Sequence, residues 1–311
     1  MIRNIFQKYN FLPKKRLGQN FLISEKILKE IIFVSKLEKD DIVLEVGAGT
    51  GILTKELAKR VKQVIAVEKD KKLVAILKEE LAKERIKNVE IIQGDILKET
   101  ERFKAIALKR SGTENYKIVA NLPYYITAPV IKMFLEAKNP PELMVLMVQK
   151  EVGERICASP PTTFSGADSC QTKKNKQKVV GGRPPKMSKL AVFCQFYSGP
   201  KIMAFVSKKC FWPQPKVDSV ILKFIPGISQ ELKGDRFFEK NENRALFSEI
   251  VNKGFSHPRK QLINNLSKEL DLPREKVESW LVKNNIKPEQ RAETLTVKNW
   301  VDLAKTFDTN F

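Results

Sequence analysis

The chain has 311 residues, 42% hydrophobic and 30% charged, which is enough to bury one large core and a smaller one. Its 57 Lys and Arg against 36 Asp and Glu give a formal charge of +21, which favours a polyanionic partner such as nucleic acid over a merely solvated basic surface. No apolar run is long enough to span a bilayer, residues 1–20 lack a signal-peptide core, no two of the four cysteines form C-x-x-C, and the single histidine, His257, rules out a multi-histidine metal site; a cytoplasmic protein with no membrane segment, disulfide framework or metal is expected.

Strand and helix alternation starts at Ser24, a helix N-cap ahead of Ile27, Ile31 and Val34 on one helical face. The apolar run 42–46 ends in glycines and reads as a buried strand, and residues 50–61 are helical by period. A second strand follows at 63–67, a helix at 71–83, a third strand at 89–92, a fourth at 117–120, a helix at 127–137 and a fifth strand at 142–148. This order predicts a parallel sheet covered on both faces. Short helices are expected at 151–158 and 188–197, and strands at 201–206 and 217–224. Between those two helices, residues 160–186 are rich in Thr, Ser, Gly, Pro and Lys and read as a disordered basic insertion. After Pro226-Gly227 the pattern changes to helices at 242–254, 259–270, 274–284 and 297–305. The expected domains are therefore residues 1–226 and a small all-helical domain at 235–311.

Three motifs sit where strands end. Glu45-Val46-Gly47-Ala48-Gly49-Thr50-Gly51 opens a helix directly after the first strand, where Gly47 and Gly49 let backbone approach a ligand. The second strand ends in Glu68, the place of an acceptor for ribose hydroxyls, and the third in Gln93-Gly94-Asp95, where Asp95 is placed to accept from an adenine amine. Taken singly, each acid reads equally well as a helix cap or surface charge, and the glycine turn also suits a nicotinamide or flavin. Asn121-Leu122-Pro123-Tyr124 follows the fourth strand. An adenine N6 amine is a poor nucleophile because its lone pair is delocalised into the ring. Acceptors for both its N–H groups, the Asn121 side-chain carbonyl and the Leu122 backbone carbonyl ahead of rigid Pro123, favour a pyramidal nitrogen, and Tyr124 can stack on the base. No general base has to act first when the attacked carbon sits on a sulfonium. The bland alternative for this tetrapeptide is a strand-ending turn. Phe211-Trp212-Pro213-Gln214-Pro215-Lys216-Val217-Asp218-Ser219 is stiffened by two prolines; it either holds Phe211 or Trp212 as a stacking platform opposite Tyr124 or sends both aromatics into the core.

With Leu17-Gly18-Gln19-Asn20-Phe21-Leu22, Val148-Gln149-Lys150-Glu151-Val152, Pro258-Arg259-Lys260-Gln261-Leu262, Asn264-Asn265-Leu266 and Arg291-Ala292-Glu293-Thr294-Leu295, these motifs resemble the ribosomal RNA adenine N6,N6-dimethyltransferases, the KsgA family, in order over almost the whole chain. The resemblance implies a class I S-adenosylmethionine methyltransferase, with a Rossmann-like, mostly parallel seven-stranded sheet and a small helical C-terminal domain. It implies transfer of two methyl groups to each of two adjacent adenines in a hairpin loop near the 3′ end of small-subunit (16S) rRNA, within the assembling 30S subunit, by a monomer. By residue match, Asn20, Leu22, Gly47, Gly49, Glu68, Asp95 and Asn121 would contact S-adenosylmethionine. Asn121, Leu122, Pro123, Tyr124 and Phe211 would hold the adenine. Lys14, Lys15, Arg16, Arg259 and Lys260 are the basic candidates for RNA contact. The insertion at 160–186 departs from the family and is either an inconsequential loop or a basic arm on ribosomal RNA. The alternatives are a resistance-type methyltransferase of large-subunit rRNA, a DNA adenine methyltransferase, and a mainly non-catalytic ribosome-assembly factor.

Overall fold

Runs of apolar residues without polar alternation build the centre of a sheet, and the computed structural model describes it within residues 2–99, 115–158, 187–227 and 235–307. The 160–186 insertion lies outside the described residues. Contacts divide the chain into two compact units, residues 1–154 with 197–229, and residues 155–196 with 230–311.

In the first unit the helices are α1 (Ile2–Lys8), α2 (Glu25–Val34), α3 (Ile52–Ala58), α4 (Lys71–Lys83) and α5 (Thr127–Leu135), and α6 (Lys150–Ile156) begins there. The strands are β1 (Phe21–Leu22), β2 (Ile42–Val46), β3 (Gln63–Glu68), β4 (Val89–Gln93), β5 (Lys117–Asn121), β6 (Leu143–Gln149), β7 (Lys201–Val206), β8 (Phe211–Trp212) and β9 (Ser219–Phe224). The seven-stranded sheet runs β4-β3-β2-β5-β6-β9-β7. Its first five strands are parallel, β9 adds antiparallel to β6, and β7 adds antiparallel to β9. All five residues of β2 are buried, so helices cover both faces there. β7 alternates exposed and inward residues, as an edge strand does. Ser24 caps α2 by accepting from the Ile27 N–H, and Ile27, Ile31 and Val34 are its buried residues, as the sequence predicts.

Two features of this unit carry no periodic signal. β1 and β8 form a separate antiparallel ladder, pairing Phe21 with Trp212 and Leu22 with Phe211. Beside it, Phe6 and Phe11 join Phe21 and Trp212 in an aromatic cluster, with Phe6 to Trp212 ring centroids 5.0 Å apart, that packs on Leu73 and Ile76 of α4. The cluster anchors the start of the chain beside the glycine turn.

The second unit contains the end of α6, most of α7 (Lys189–Tyr197), and α8 (Asn241–Gly254), α9 (Leu262–Leu270), α10 (Arg274–Lys283) and α11 (Val297–Lys305). Residues 155–196 group with these helices because α7 supplies aromatic rings to their core. Phe196 stacks on Phe247 at 3.7 Å between centroids, and Phe193 meets Phe247 edge-on. A capping box between Thr296 and Asn299 starts α11.

A cleft at the carboxyl ends of the parallel strands

The order of the parallel strands reverses between β2 and β5, since β3 and β4 lie to one side and β6 to the other. At such a switch point the loops leaving neighbouring strands splay apart and open a crevice. A cleft of about 1050 Å³, its open mouth included, occupies that place. Asn20, Leu22, Gly47, Gly49, Glu68, Asp95, Asn121, Leu122, Pro123 and Tyr124 all line it. Asn20 and Asn121, 101 positions apart, are thus brought together in one cleft.

The glycine turn forms the floor. Gly47 and Gly49 have φ of +78° and +60°, a region costly for other residues. A Cβ on Gly47 would lie 3.3 Å from Pro123 Cδ, and one on Gly49 would lie 3.2 Å from the Phe21 ring. The backbone therefore reaches the cleft surface with no room for side chains, a cradle suited to a ligand that needs close main-chain approach. Glu68 ends β3 beside this turn. Its Oε2 accepts from the Gly49 N–H at 2.9 Å and its Oε1 from the Asp70 N–H at 2.8 Å. Burial pushes its carboxyl above the usual range, against the lowering pull of those N–H groups. The carboxylate has lone pairs beyond those two bonds with which to accept from a ligand. Asp95 lies past β4 and accepts from the Leu97 N–H at 3.1 Å, while Lys69 pairs with it at 2.9 Å. Burial pushes its carboxyl up, but Lys69 and that N–H outweigh it and hold the group below its ordinary value. Behind the glycines, Glu45 is fully buried with Oε2 unpartnered among the described residues. Burial drives its pKa up to about 8; the Thr54 hydroxyl opposes that shift and the nearby Glu68 adds to it.

The opposite wall is the 121–124 turn. Asn121 Nδ2 donates to the Asn20 carbonyl at 3.3 Å, which orients the amide and leaves Oδ1 available to accept from a ligand. Leu122 is buried and its N–H donates to the Met147 carbonyl at 3.3 Å, so the turn is fastened to β6. The Tyr124 hydroxyl shares a 2.8 Å hydrogen bond with Ser219 Oγ, and burial raises its pKa. That bond fixes where the far end of the ring lies. Tyr125, half exposed, and Lys69 stand at the mouth.

Phe211 is not brought into the cleft. It is only 3% exposed, lies in the core of the first unit and pairs with Leu22 through β8, while Trp212 stacks on Phe6. Of the two placements the sequence leaves open for these aromatics, the structure shows the core. Ser219, the last residue of the same motif, reaches the site instead, through Tyr124. Among the basic candidates, Arg16 is exposed, the Lys14 ammonium is paired with Asp70 at 2.7 Å, and the side chain of Lys15 lies outside the described residues. Arg259 and Lys260 are exposed in the second unit, in the turn before α9. Lys69 and Tyr125 line the cleft, and Asp70 and Ser219 support Glu68 and Tyr124 from behind it; motif spacing reveals none of the four. Among the described residues no group of three or more His, Cys, Asp and Glu is placed to hold a metal ion, and no helix is long and apolar enough to cross a membrane.

The profile of a family described as ribosomal RNA adenine dimethylase matches residues 10–167 and 173–309. A protein of Alkaliphilus oremlandii named ribosomal RNA small subunit methyltransferase A is 38% identical, covering 97% of this chain and 94% of its own. A protein of the same name from Latilactobacillus sakei is 37% identical, covering 97% and 92%. Among solved structures, a dimethyladenosine transferase from Plasmodium falciparum superposes with a TM-score of 0.61 at 24% identity over 91% of this chain and 95% of its own. The 23S rRNA methyltransferase ErmE superposes with a TM-score of 0.60 at 23% identity over 92% and 98%. The two structural likenesses are nearly equal and speak to the fold alone.

Proposed function

Because this chain belongs to the ribosomal RNA adenine dimethylase family, an S-adenosylmethionine-dependent class of enzymes, we propose that it dimethylates N6 of two adjacent adenines in the 3′-terminal hairpin loop of small-subunit rRNA. The substrate is the assembling small subunit in the cytoplasm, met by a monomer whose charge of +21 draws it to RNA. The fold is common to enzymes of both ribosomal subunits, so the small-subunit reading rests on the sequence relatives.

The cradle at Gly47 and Gly49 and the carboxylates of Glu68 and Asp95 fit the nucleoside end of the cofactor. Glu68 accepts from the ribose hydroxyls, and Asp95 accepts from the adenine amine. Asn20 and Leu22 close the cleft over it. When bound, S-adenosylmethionine supplies a methyl group on a sulfonium, a good leaving group that departs neutral. The chain's own task is to make the target amine nucleophilic and to aim it. Asn121 Oδ1 accepts one N6–H, the Leu122 carbonyl accepts the other, and Tyr124 holds the base by stacking. The proton displaced from nitrogen after each transfer passes to solvent. A monomethylated amine retains one N–H, so one acceptor is enough to orient it for the second transfer. Arg16, with Lys15, Arg259 and Lys260, contacts the RNA backbone. The observation that carries the reading is the orientation of the Asn121 amide, whose Nδ2 donates to the Asn20 carbonyl and so turns Oδ1 to present an acceptor where an amine must be activated.

Purified protein is incubated with S-adenosylmethionine and small subunits lacking the modification, or with large-subunit RNA, and the nucleosides are read by mass spectrometry. N6,N6-Dimethyladenosine is expected in small-subunit RNA only, at two adjacent positions. Modification of large-subunit RNA alone would overturn the proposal, as would binding to small subunits with no methyl transfer.

A further inference from the structure

Asp70 holds more partners than a helix cap requires. Its Oδ1 accepts from the Lys72 N–H at 3.0 Å and so caps α4. That duty is complete with one oxygen, and Asn, Ser or Thr performs it equally well. The second oxygen, Oδ2, accepts from Lys14 Nζ at 2.7 Å and from Gln19 Nε2 at 3.2 Å. Gln19 closes the same loop by accepting from the Lys14 N–H at 2.7 Å. The residue is 5% exposed, and its own N–H donates to Glu68 Oε1. One carboxylate therefore joins the start of α4, the ribose-side glutamate and the 14–19 loop. The next residue of that loop, Asn20, supplies the carbonyl that holds the Asn121 NH₂.

We propose that Asp70 is a positioning residue that latches the 14–20 segment over the cofactor cleft and, through the Asn20 carbonyl, keeps the Asn121 oxygen turned to the substrate. The latch rests on the cofactor reading of the cleft. It makes cofactor affinity and amine activation respond to one ion pair. Lys14, a candidate for RNA contact by charge alone, is the cationic half of it.

The test is calorimetric binding of S-adenosylhomocysteine to the full chain, with trypsin cleavage within residues 14–16 as a second readout. Asp70→Asn keeps the cap to Lys72 and the Glu68 contact but loses the acceptor for Lys14, so affinity should fall about fivefold or more and cleavage should speed up. Lys14→Ala should match it in affinity, Lys14→Arg should restore near wild-type binding, and the double variant Lys14→Ala, Asp70→Asn should be no worse than either single one. Steady-state kinetics should show a higher KM for S-adenosylmethionine and a lower kcat, with KM for RNA unchanged in Asp70→Asn. Wild-type affinity in Asp70→Asn, or losses that simply add in the double variant, would refute the latch. Failure of the wild-type chain to bind S-adenosylhomocysteine would instead refute the cofactor reading. If Asp70→Asn does not fold, the comparison of Lys14→Ala with Lys14→Arg decides, because Lys14 is half exposed.

Discussion

The two edges of the parallel sheet treat their polar groups in opposite ways. At the amino edge, Lys117 opens β5 with 4% exposure, and its ammonium donates to Asp41 Oδ2 at 2.8 Å and to the Lys36 carbonyl at 2.9 Å. Nearby, Asn88 Nδ2 donates to the carbonyls of Ala58 and Val61, satisfying the frayed end of α3. At the carboxyl edge, Glu45 Oε2 has no partner among the described residues, Glu68 is held above its usual carboxylate range, and the Asn121 amide is only half used. Each buried polar atom left open costs about 1–3 kcal/mol, a cost that a ligand in the cleft would offset. The amino edge is built for stability and the carboxyl edge for a ligand.

Substitutions at the two edges should therefore fail differently. The largest effect is expected from Asn121→Ala. Loss of one preorganised hydrogen-bonding partner lowers kcat by about 100- to 1000-fold. Binding of S-adenosylhomocysteine and of RNA should change by only a few-fold, and single-turnover methylation separates the two. Lys117→Met works in the other direction. It strands Asp41, which is partly exposed, so urea denaturation should show a loss of about 2–3 kcal/mol, below the range for a fully buried pair, with methylation per folded molecule unchanged.

The buried carboxyl of Glu45 gives the carboxyl edge a pH signature. With a folded pKa of about 8 against 4.5 unfolded, the native state holds a proton that the unfolded chain has released. Stability from this group is complete below its unfolded pKa and is lost as pH rises from there through about 8. Denaturation midpoints of the ligand-free protein should fall across that window, and Glu45→Gln should flatten the fall. A slope that is the same in both proteins would remove Glu45 as its source. The smallest effect is expected from Ser219→Ala, which frees the Tyr124 hydroxyl. One hydrogen bond worth about 1 kcal/mol predicts a roughly fivefold drop in kcat, with little change in thermal stability.

The carboxyl edge is also where sequence speaks most clearly. Strands β2, β3, β5 and β6 announce themselves because burial on both faces demands continuous apolar runs. Glu68 and Asn121 end β3 and β5 and Asp95 follows β4, and that regular placement together makes them legible. Asp70 is not, because its partner Gln19 is 51 residues away and its local signature is that of any helix cap. Ser219 reads as the end of a proline-rich loop until Tyr124 lies against it. Phe211 stays ambiguous in sequence because a proline-stiffened aromatic serves a core and a stacking platform equally well; pairing with Leu22 decides it here. Helix α1 has no visible partner either, since Ile5 and Phe6 become core only against residues such as Phe21 and Trp212.

That last contact has a consequence for synthesis. The ladder of β1 and β8 joins residues 21 and 22 to 212 and 211, so the segment that roofs the cleft is made early and finds its partner late. A chain emerging amino end first can assemble β2 through β6 while residues 21 and 22 still lack their mates. That ladder therefore forms only once the chain past Trp212 has left the ribosome. A nascent fragment holding every glycine and acid of the cleft still lacks it.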